Sequence, residues 1–219
     1  MLRLVFEKQG DSTWISHLDL MRVFQRAFRR AGLLLKHSQG FTPRAIVSIA
    51  LPLSVGTESV CELLDFELEG KIPSCNEIMD WLNARLPDGI RVLSVYEAGR
   101  KIKELTHLRG ELVLEYDGGI PDHAEHSVCN MLDRESLIVV KHSRKGDTET
   151  DVRPLLKDYC LRREDDHTLV LEVLVCAQNP SLNPQLLADA MEIYCPEARA
   201  NHAFVRRREV YDQAGAIFR

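Results

Sequence analysis

The order of strand and helix patterns along the chain constrains the fold more than any other feature of the sequence. Leu2 to Lys8 alternates apolar and charged residues, which is typical of a half-buried strand. Ser16 to Ala31 carries apolar residues at helical spacing, and Gly32 follows as a helix-ending glycine. Two more strand patterns, a helix with Ser74 and Glu77 in capping-box spacing, and a closing strand complete the first half. The resulting order is β-α-β-β-α-β.

A similar order follows in the second half of the chain. A short motif supports a duplication, because Lys36-His37-Ser38 recurs as Lys141-His142-Ser143, 105 residues later, at the end of a predicted strand in each half. Each copy is followed by a polar loop that reaches a proline beside an arginine. The sequence therefore predicts an α+β protein made of two duplicated ferredoxin-like (βαββαβ) domains, which cover residues 1–100 and 101–219.

Charge is distributed very unevenly along the 219 residues. The chain has a formal net charge of −5, yet the segment from Leu20 to Thr57 holds six basic residues and no acidic residue. This segment carries a charge of +6, so the rest of the chain carries −11. A concentrated basic segment in an acidic protein indicates an anionic partner, which the overall charge hides.

Four arginines of the predicted first helix lie on one face. Arg22, Arg26, Arg29 and Arg30 fall at positions i, i+4, i+7 and i+8, opposite the apolar stripe. Like charges at this spacing repel one another by roughly a few tenths of a kcal/mol per pair, so an anionic partner is expected. Two interpretations stay open: carboxylates of this protein or of a protein partner compensate the arginines, or the guanidinium groups bind nucleic-acid phosphates.

The segment from His37 to Arg44 is predicted to form a turn-rich loop with many hydrogen-bond donors. Gly40 permits close approach of its backbone to a ligand, and the donors suit phosphate or ribose hydroxyl groups. The alternative is an ordinary connection in which Phe41 fills the core. In the second half, Arg153 is either held by Asp151 or presented to the same ligand as the basic helix.

The sequence thus predicts one set of RNA-binding residues, drawn from both halves and lining a groove between them. Because aromatic residues make up only 6% of the chain, we expect recognition through phosphates and 2′-hydroxyl groups more than through base stacking. The predicted RNA-binding residues are Arg22, Arg26, Arg29, Arg30, Lys36, His37, Ser38, Gln39, Arg44, Lys141 and Arg153.

Signals for catalysis are few. Ser16 and Asp19 fit a helix cap, which leaves His17 as a further polar residue in the first turn. His17 and His37 are the candidates for metal-independent RNA cleavage by general acid–base catalysis. No Walker, GxGxxG or GxSxG motif occurs, so nucleotide hydrolysis, dinucleotide binding and serine-hydrolase chemistry are not expected.

Metal, cofactor and membrane signals are absent as well. His123, His126 and Cys129 share one side of a predicted helix, but no fourth ligand has matching spacing and no CxxC pair occurs. We therefore predict no metal and no cofactor. No apolar run reaches the roughly 18 residues that a membrane span needs, and no signal-peptide pattern occurs at the N-terminus. The expected location is the cytoplasm, without membrane contact.

Several motifs are similar to those of the radical-SAM-associated domain family of unknown function. They are Ser16-His17-Leu18-Asp19-Leu20-Met21-Arg22, Ala27-Phe28-Arg29-Arg30-Ala31-Gly32, Ser38-Gln39-Gly40-Phe41-Thr42-Pro43, Ala50-Leu51-Pro52-Leu53 with Gly56, and Asp151-Val152-Arg153-Pro154. Members of that family are fused to a radical S-adenosylmethionine protein or encoded beside one. This chain has no Cx3Cx2C motif, so the resemblance implies the stand-alone accessory form, with a radical-SAM protein as its partner.

The expected function is an accessory RNA-binding protein. It would work with a radical-SAM enzyme in tRNA or rRNA modification or in ribosome-related metabolism. Two alternatives stay open at this point: an RNA-processing enzyme that uses His17 and His37, and a protein-interaction subunit that binds no nucleic acid.

Overall fold

The computed structural model describes residues 1–141 and 146–219 and divides the chain into two compact units. Unit 1 comprises Met1–Glu104 together with Arg219, and unit 2 comprises Leu105–Phe218. Both units contain helices and strands, which confirms the prediction of a mixed α and β protein.

Unit 1 follows the β-α-β-β-α-β order. Its strands lie in the order β4-β1-β3-β2, and each neighbouring pair is antiparallel. A capping box between Ser74 and Glu77 begins the second helix, as predicted. The elements are β1 (Leu2–Lys8), α1 (His17–Arg30), β2 (Val47–Ile49), β3 (Glu58–Phe66), α2 (Cys75–Asn83) and β4 (Ile90–Glu97).

The core of unit 1 fixes the orientation of α1. Leu20, Phe24 and Phe28 of this helix are fully buried in a cluster with residues of the sheet. The Phe24 ring lies 4.7 Å from that of Phe6 in an edge-on contact, and the Phe28 ring lies 4.8 Å from that of Phe66. Because one face of α1 is held against the sheet, its opposite face is turned to solvent.

The main sheet strands of unit 2 lie in the order β10-β5-β9-β8, again with antiparallel neighbours. A separate hairpin, in which Lys141 pairs with Thr148, joins β6 and β7, and the polar strand β7 was not predicted. The duplication of the two halves stays a prediction. The elements are β5 (Leu105–Glu115), α3 (Ala124–Leu132), β6 (Ile138–Lys141), β7 (Thr148–Asp151), β8 (Leu156–Arg163), β9 (Thr168–Cys176), α4 (Gln185–Tyr194) and β10 (His202–Asp212).

Neither a membrane-spanning helix nor a cluster of metal-ligating side chains occurs in the described residues. Within residues 1–141 and 146–219, no helix is long and apolar enough to cross a membrane. In the same residues, no three His, Cys, Asp or Glu side chains are grouped so that they could hold a metal ion, and this includes His123, His126 and Cys129.

Candidate nucleic-acid interface

The arginines of α1 lie on the face of the helix that is opposite its buried stripe. At about 100° per residue, Arg22, Arg26, Arg29 and Arg30 span an arc of roughly 100°, and all four are exposed. Ser16 caps the helix by accepting a hydrogen bond from the backbone N–H of Asp19 at 3.2 Å. The four arginines that were predicted to share one face of the helix therefore lie together on the exposed surface of unit 1.

Arg22 differs from the other three because a carboxylate compensates its charge. Its Nη1 lies 2.6 Å from Oδ1 of Asp19, one helical turn earlier. A hydrogen bond from Ser16 and the contact with Arg22 together hold the pKa of Asp19 below its usual range. The segment from Leu20 to Thr57 contains no acidic residue, but Asp19 directly precedes it and pairs with Arg22. Three arginines of α1, and not four, therefore lack a close carboxylate partner among the described residues.

Lys36 is also paired, although its partner is distant in the sequence. Its Nζ lies 2.9 Å from Oε2 of Glu67, and the backbone N–H of Lys36 donates to the carbonyl oxygen of Glu67. The hydrogen bond from Lys36 lowers the pKa of Glu67. Lys36 is therefore half of a surface ion pair and offers less free positive charge than expected.

Three arginines of α1 have no such compensation. Within residues 1–141 and 146–219, the side chains of Arg26, Arg29 and Arg30 make no ion pair and no hydrogen bond, and the Asp19 carboxylate interacts with Arg26 only through longer-range electrostatics. Arg29 and Arg30 lie in the last turn, where a cation stabilises a helix by about 0.3–1 kcal/mol through the helix dipole. This structural role accounts for positive charge at the helix end, but it provides no counter-ion.

One further cation, Arg85, lies beside this helix end, and the sequence did not indicate it. The Nε of Arg85 lies 3.4 Å from the carbonyl oxygen of Arg30, to which it donates, so its guanidinium group joins those of α1. Arg85 follows α2 in the sequence, outside the acid-free segment. Only the packing of α2 beside α1 indicates that it belongs to the same surface.

The segment after α1 forms a narrow hairpin. Ser38 and Arg44 are joined by two hydrogen bonds: the backbone N–H of Ser38 donates to the carbonyl of Arg44 at 2.8 Å, and that of Arg44 donates to Oγ of Ser38 at 3.1 Å. Gly40 at the tip has a φ of +138°, which favours glycine. Gln39 is exposed, and Phe41 is fully exposed, so the alternative in which Phe41 fills the core is wrong.

The hairpin and the end of α1 enclose a cavity of about 560 Å³. Arg29, His37 and Arg44 line it, and Phe28, Leu33 and Leu35 form its apolar wall. Glu69 is the acidic residue of the lining, and no ion pair joins it to Arg29 or Arg44 among the described residues. We define the basic cluster as the four exposed arginines of α1 and the hairpin that have no ion pair among the described residues, together with Arg85 beside the helix end: Arg26, Arg29, Arg30, Arg44 and Arg85.

The two candidate catalytic histidines do not meet. His17 begins α1, and its Nδ1 accepts a hydrogen bond from the backbone N–H of Leu53 at 3.5 Å. His37 lies beside the other end of the helix, with Arg29 in the same cavity. The rise from residue 17 to residue 29 is about 18 Å along the helix axis. His17 and His37 therefore lie near opposite ends of α1, and this placement does not favour a shared acid–base reaction.

The predicted residues of unit 2 have separate surroundings. Lys141 is exposed at the end of β6, and His142 and Ser143 of its motif lie outside the described residues. Asp151 accepts hydrogen bonds from the backbone N–H groups of Leu137 and Arg153, at 2.8 and 3.0 Å. The guanidinium group of Arg153 instead donates to the carbonyl of Leu156 at 3.2 Å. The positive charge of Arg153 still helps to lower the pKa of Asp151, together with the backbone hydrogen bonds.

A comparison with protein families identifies where this chain belongs. The model of DUF2344, described as an uncharacterized protein conserved in bacteria, matches residues 1–184. This chain belongs to the DUF2344 family. The matched range includes the basic cluster and all the predicted RNA-binding residues of both units. No curated protein is similar enough in sequence to count as a match for this DUF2344 protein.

A comparison with solved structures found chains that are similar in structure to this one. A chain of the crystal structure of a Cbf5-Nop10-Gar1 complex is similar over 97% of the DUF2344 chain, with 9% identity and a TM-score of 0.53. The DUF2344 chain spans 50% of that chain. A chain of an H/ACA RNP bound to a substrate RNA containing 2′-deoxyuridine is similar over 94% of this chain and 46% of its own length, with 9% identity and a TM-score of 0.49. At this identity the first likeness shows a fold and no function.

Proposed function

We propose that this DUF2344 protein is an accessory RNA-binding protein whose main contact surface is the basic cluster of unit 1. The observation that carries the proposal is the convergence of Arg29, His37 and Arg44 on one cavity, where neither guanidinium group has a carboxylate partner among the described residues. Guanidinium groups bind phosphate oxygens through paired N–H donors, and this interaction is the strong, charge-assisted kind. The two cations on one concave surface suit consecutive phosphates of an RNA chain.

The predicted residues are expected to contribute unequally to RNA binding, because some of them already have a carboxylate partner within the protein. Arg22 and Lys36 have carboxylate partners, so we expect them to add less to RNA affinity than Arg26, Arg29 and Arg44 do. Ser38 and Gln39 are exposed on the hairpin and offer polar groups beside Arg44. Lys141 and Arg153 of unit 2 stay proposals as further phosphate contacts.

The resemblance of its motifs supports a radical-SAM enzyme as the partner. We propose that the protein holds tRNA, rRNA or a ribosome-related RNA on behalf of that enzyme. Ser16 to Arg22, one of the motifs, lies at the N-terminal end of α1, whereas Arg29 lies near its C-terminal end. The N-terminal end therefore leaves surface for a protein partner while RNA occupies the basic cluster.

Strand order supports a duplicated origin of the two units. The order β4-β1-β3-β2 of unit 1 corresponds to β10-β5-β9-β8 of unit 2, strand by strand, which is the pattern of two ferredoxin-like repeats. The hairpin of β6 and β7 is then an insertion. In this correspondence α3 takes the place of α1, yet α3 contains no arginine. We therefore infer that the basic helix is particular to the first copy.

Binding of total tRNA at different salt concentrations tests the proposed function. We expect affinity to fall steeply with salt, and the double variant Arg29→Ala/Arg44→Ala to lower the slope of log affinity against log salt by about 1.4, at roughly 0.7 per phosphate contact on single-stranded RNA. The matched control is Arg163→Ala/Arg199→Ala, which removes two exposed arginines that pair with Glu125 and Glu192 in unit 2.

Two results would contradict the proposal. One is tRNA binding that is absent or insensitive to salt. The other is an equal loss of affinity in the test pair and in the control pair, since this would reflect net charge alone. A protein partner that co-purifies through nuclease treatment and high salt, combined with absent RNA binding, would favour the protein-interaction subunit instead.

A further inference from the structure

A second cavity lies beside the basic cluster. Its volume is also about 560 Å³, and it is lined by Trp81 of α2 together with Leu68, Ile72 and Pro73. Trp81 is 43% exposed and Ile72 is 55% exposed, so apolar surface of both is open to solvent. Large apolar side chains that remain accessible in a concave surface are a common sign of a binding site.

The two cavities adjoin each other. Leu33, Leu34 and Glu69 line both, and Leu34, at 66% exposure, stands on the boundary between them. The backbone N–H of Glu69 donates to the carbonyl of Leu34 at 2.8 Å, which fixes this shared wall. A ligand whose phosphates lie at Arg29 and Arg44 can therefore continue without interruption towards Trp81.

The polar groups of the second cavity indicate what kind of ligand fits it. Glu77 is engaged in its capping box, where its Oε2 accepts hydrogen bonds from N and Oγ of Ser74, both at 2.8 Å. Glu69 has no ion pair or side-chain hydrogen bond among the described residues, so its carboxylate remains able to accept one. Lys71 adds a positive charge at the same cavity. An indole ring, a free carboxylate and a nearby cation suit a nucleotide, which offers the π-face and amino group of its base and a phosphate.

We propose that the RNA bound here is single-stranded, and that the second cavity holds one unstacked base against the indole ring of Trp81. This inference rests on the proposed function and deepens it, because it names the form of RNA. The phosphate backbone passes Arg29 and Arg44, the base turns over Leu34 onto Trp81, and Glu69 accepts a hydrogen bond from its amino group. Bases in a duplex are stacked and paired, so they cannot enter this cavity.

A pair of RNA probes tests the proposal: a 12-nucleotide single strand and the same strand annealed to its complement. We expect the single strand to bind more tightly. The variant Trp81→Ala should weaken single-strand binding by roughly 5- to 150-fold, the range for loss of one base–aromatic stack, whereas Trp81→Phe should retain it. Trp14→Ala is the matched control, since Trp14 is the other tryptophan, is 72% exposed and precedes α1.

Tryptophan fluorescence provides a readout that leaves the cavity intact. The chain has two tryptophans, so Trp14→Phe isolates the emission of Trp81 and Trp81→Phe isolates that of Trp14. We expect the single strand to quench Trp81 emission and the duplex to leave it unchanged, with Trp14 emission constant in both. Equal affinity for both RNA forms, with Trp81 emission constant, would overturn this inference.

The outcome also separates this inference from the proposed function. If Arg29→Ala/Arg44→Ala weakens RNA binding while Trp81→Ala does not, RNA binding stands and the base site is wrong. If neither RNA form binds the unaltered protein, the proposed function fails first.

Discussion

The arginines at the C-terminal end of α1 and those on the sheet of unit 2 are in opposite situations. In unit 2, Arg109 lies 2.5 Å from Glu172, and Arg208 lies 2.6 Å from Glu111. In unit 1, Arg26 and Arg29 have no carboxylate partner among the described residues. The comparison shows that counting arginines does not locate an anion-binding surface, because partners in space decide which charges remain available.

The longest run of consecutive arginines in the sequence would suggest an anion-binding surface in unit 2. Arg206, Arg207 and Arg208 are consecutive in β10, which is the densest basic run of the chain. Arg207 is buried, the guanidinium group of Arg206 lies 4.9 Å from the Phe204 ring centre, and Arg208 is paired with Glu111. Each of these arginines is therefore committed to contacts within the protein.

The largest effect should come from removing a carboxylate in unit 2. Glu111 is 8% exposed, accepts a hydrogen bond from Arg208 and lies 3.7 Å from Arg162. Glu111→Ala leaves two arginines without their common partner in a half-buried setting, so the free energy of unfolding should fall by about 2–3 kcal/mol. Urea denaturation measures this change.

Glu125→Ala is the matched control for that variant. The Arg163–Glu125 pair is exposed, at 46% and 49% of the two side chains, so its loss should cost about 0.2–1 kcal/mol. Equal destabilisation by both variants would mean that burial does not distinguish the arginines of unit 2.

A charge reversal in unit 1 should separate RNA binding from stability. Arg26→Glu places a carboxylate three residues before Arg29 and four before Arg30, which stabilises a helix by about 0.2–0.5 kcal/mol per pair. RNA affinity should nevertheless fall at least about tenfold, because a negative charge then faces the phosphates. Electrophoretic mobility shift and thermal unfolding measure the two quantities.

Arg199→Glu in unit 2 gives the same change in net charge and should leave RNA affinity within about threefold of the unaltered protein. If Arg199→Glu weakened RNA binding as much as Arg26→Glu does, net charge alone would explain both effects. The arginines of α1 would then not differ from those of unit 2 as RNA contacts.

The smallest effect should come from releasing Arg22. Asp19 is ionised at neutral pH, since hydrogen bonds from Ser16 and Arg22 hold its pKa below its usual range. Asp19→Asn turns Arg22 into an unpaired arginine like Arg26, so RNA affinity should rise about two- to threefold, with a steeper salt dependence. Filter binding at low salt measures the change.

The control is Glu192→Gln, which releases Arg199 of unit 2 in the same way. It should not alter RNA affinity. Unchanged affinity in Asp19→Asn as well would place Arg22 outside the RNA contact surface.

Features set by neighbours in the sequence were predicted well. The first helix was expected from Ser16 to Ala31 and spans His17–Arg30, with Ser16 as its cap. The capping box at Ser74 was also confirmed. Such features depend on periodicity and on contacts within about one helical turn, which a sequence displays directly. The last helix was less accurate: Asn183 was expected as its cap, but Pro184 holds that position.

Features set by distant contacts were predicted poorly. The pairing of Lys36 with Glu67 depends on two chain segments that meet only in the folded protein. The exposure of Phe41 and Trp81 is likewise set by the folded chain, and the aromatic content of 6% does not indicate it. Composition counts residues and does not report which of them reach the surface.

The amino-acid sequence alone determined that α1 is an amphipathic helix with arginines on its outer face, since hydrophobic spacing fixes which side is buried. The pairing of Arg22 with Asp19 is also local, since the two residues lie one helical turn apart. Tertiary structure decided the pairing of Lys36, because Glu67 reaches it only where two distant chain segments align. It also placed Arg85, His37 and Trp81 around α1. Electrostatic and stacking contacts act over a few ångströms in space, and a linear chain does not specify those distances until it folds.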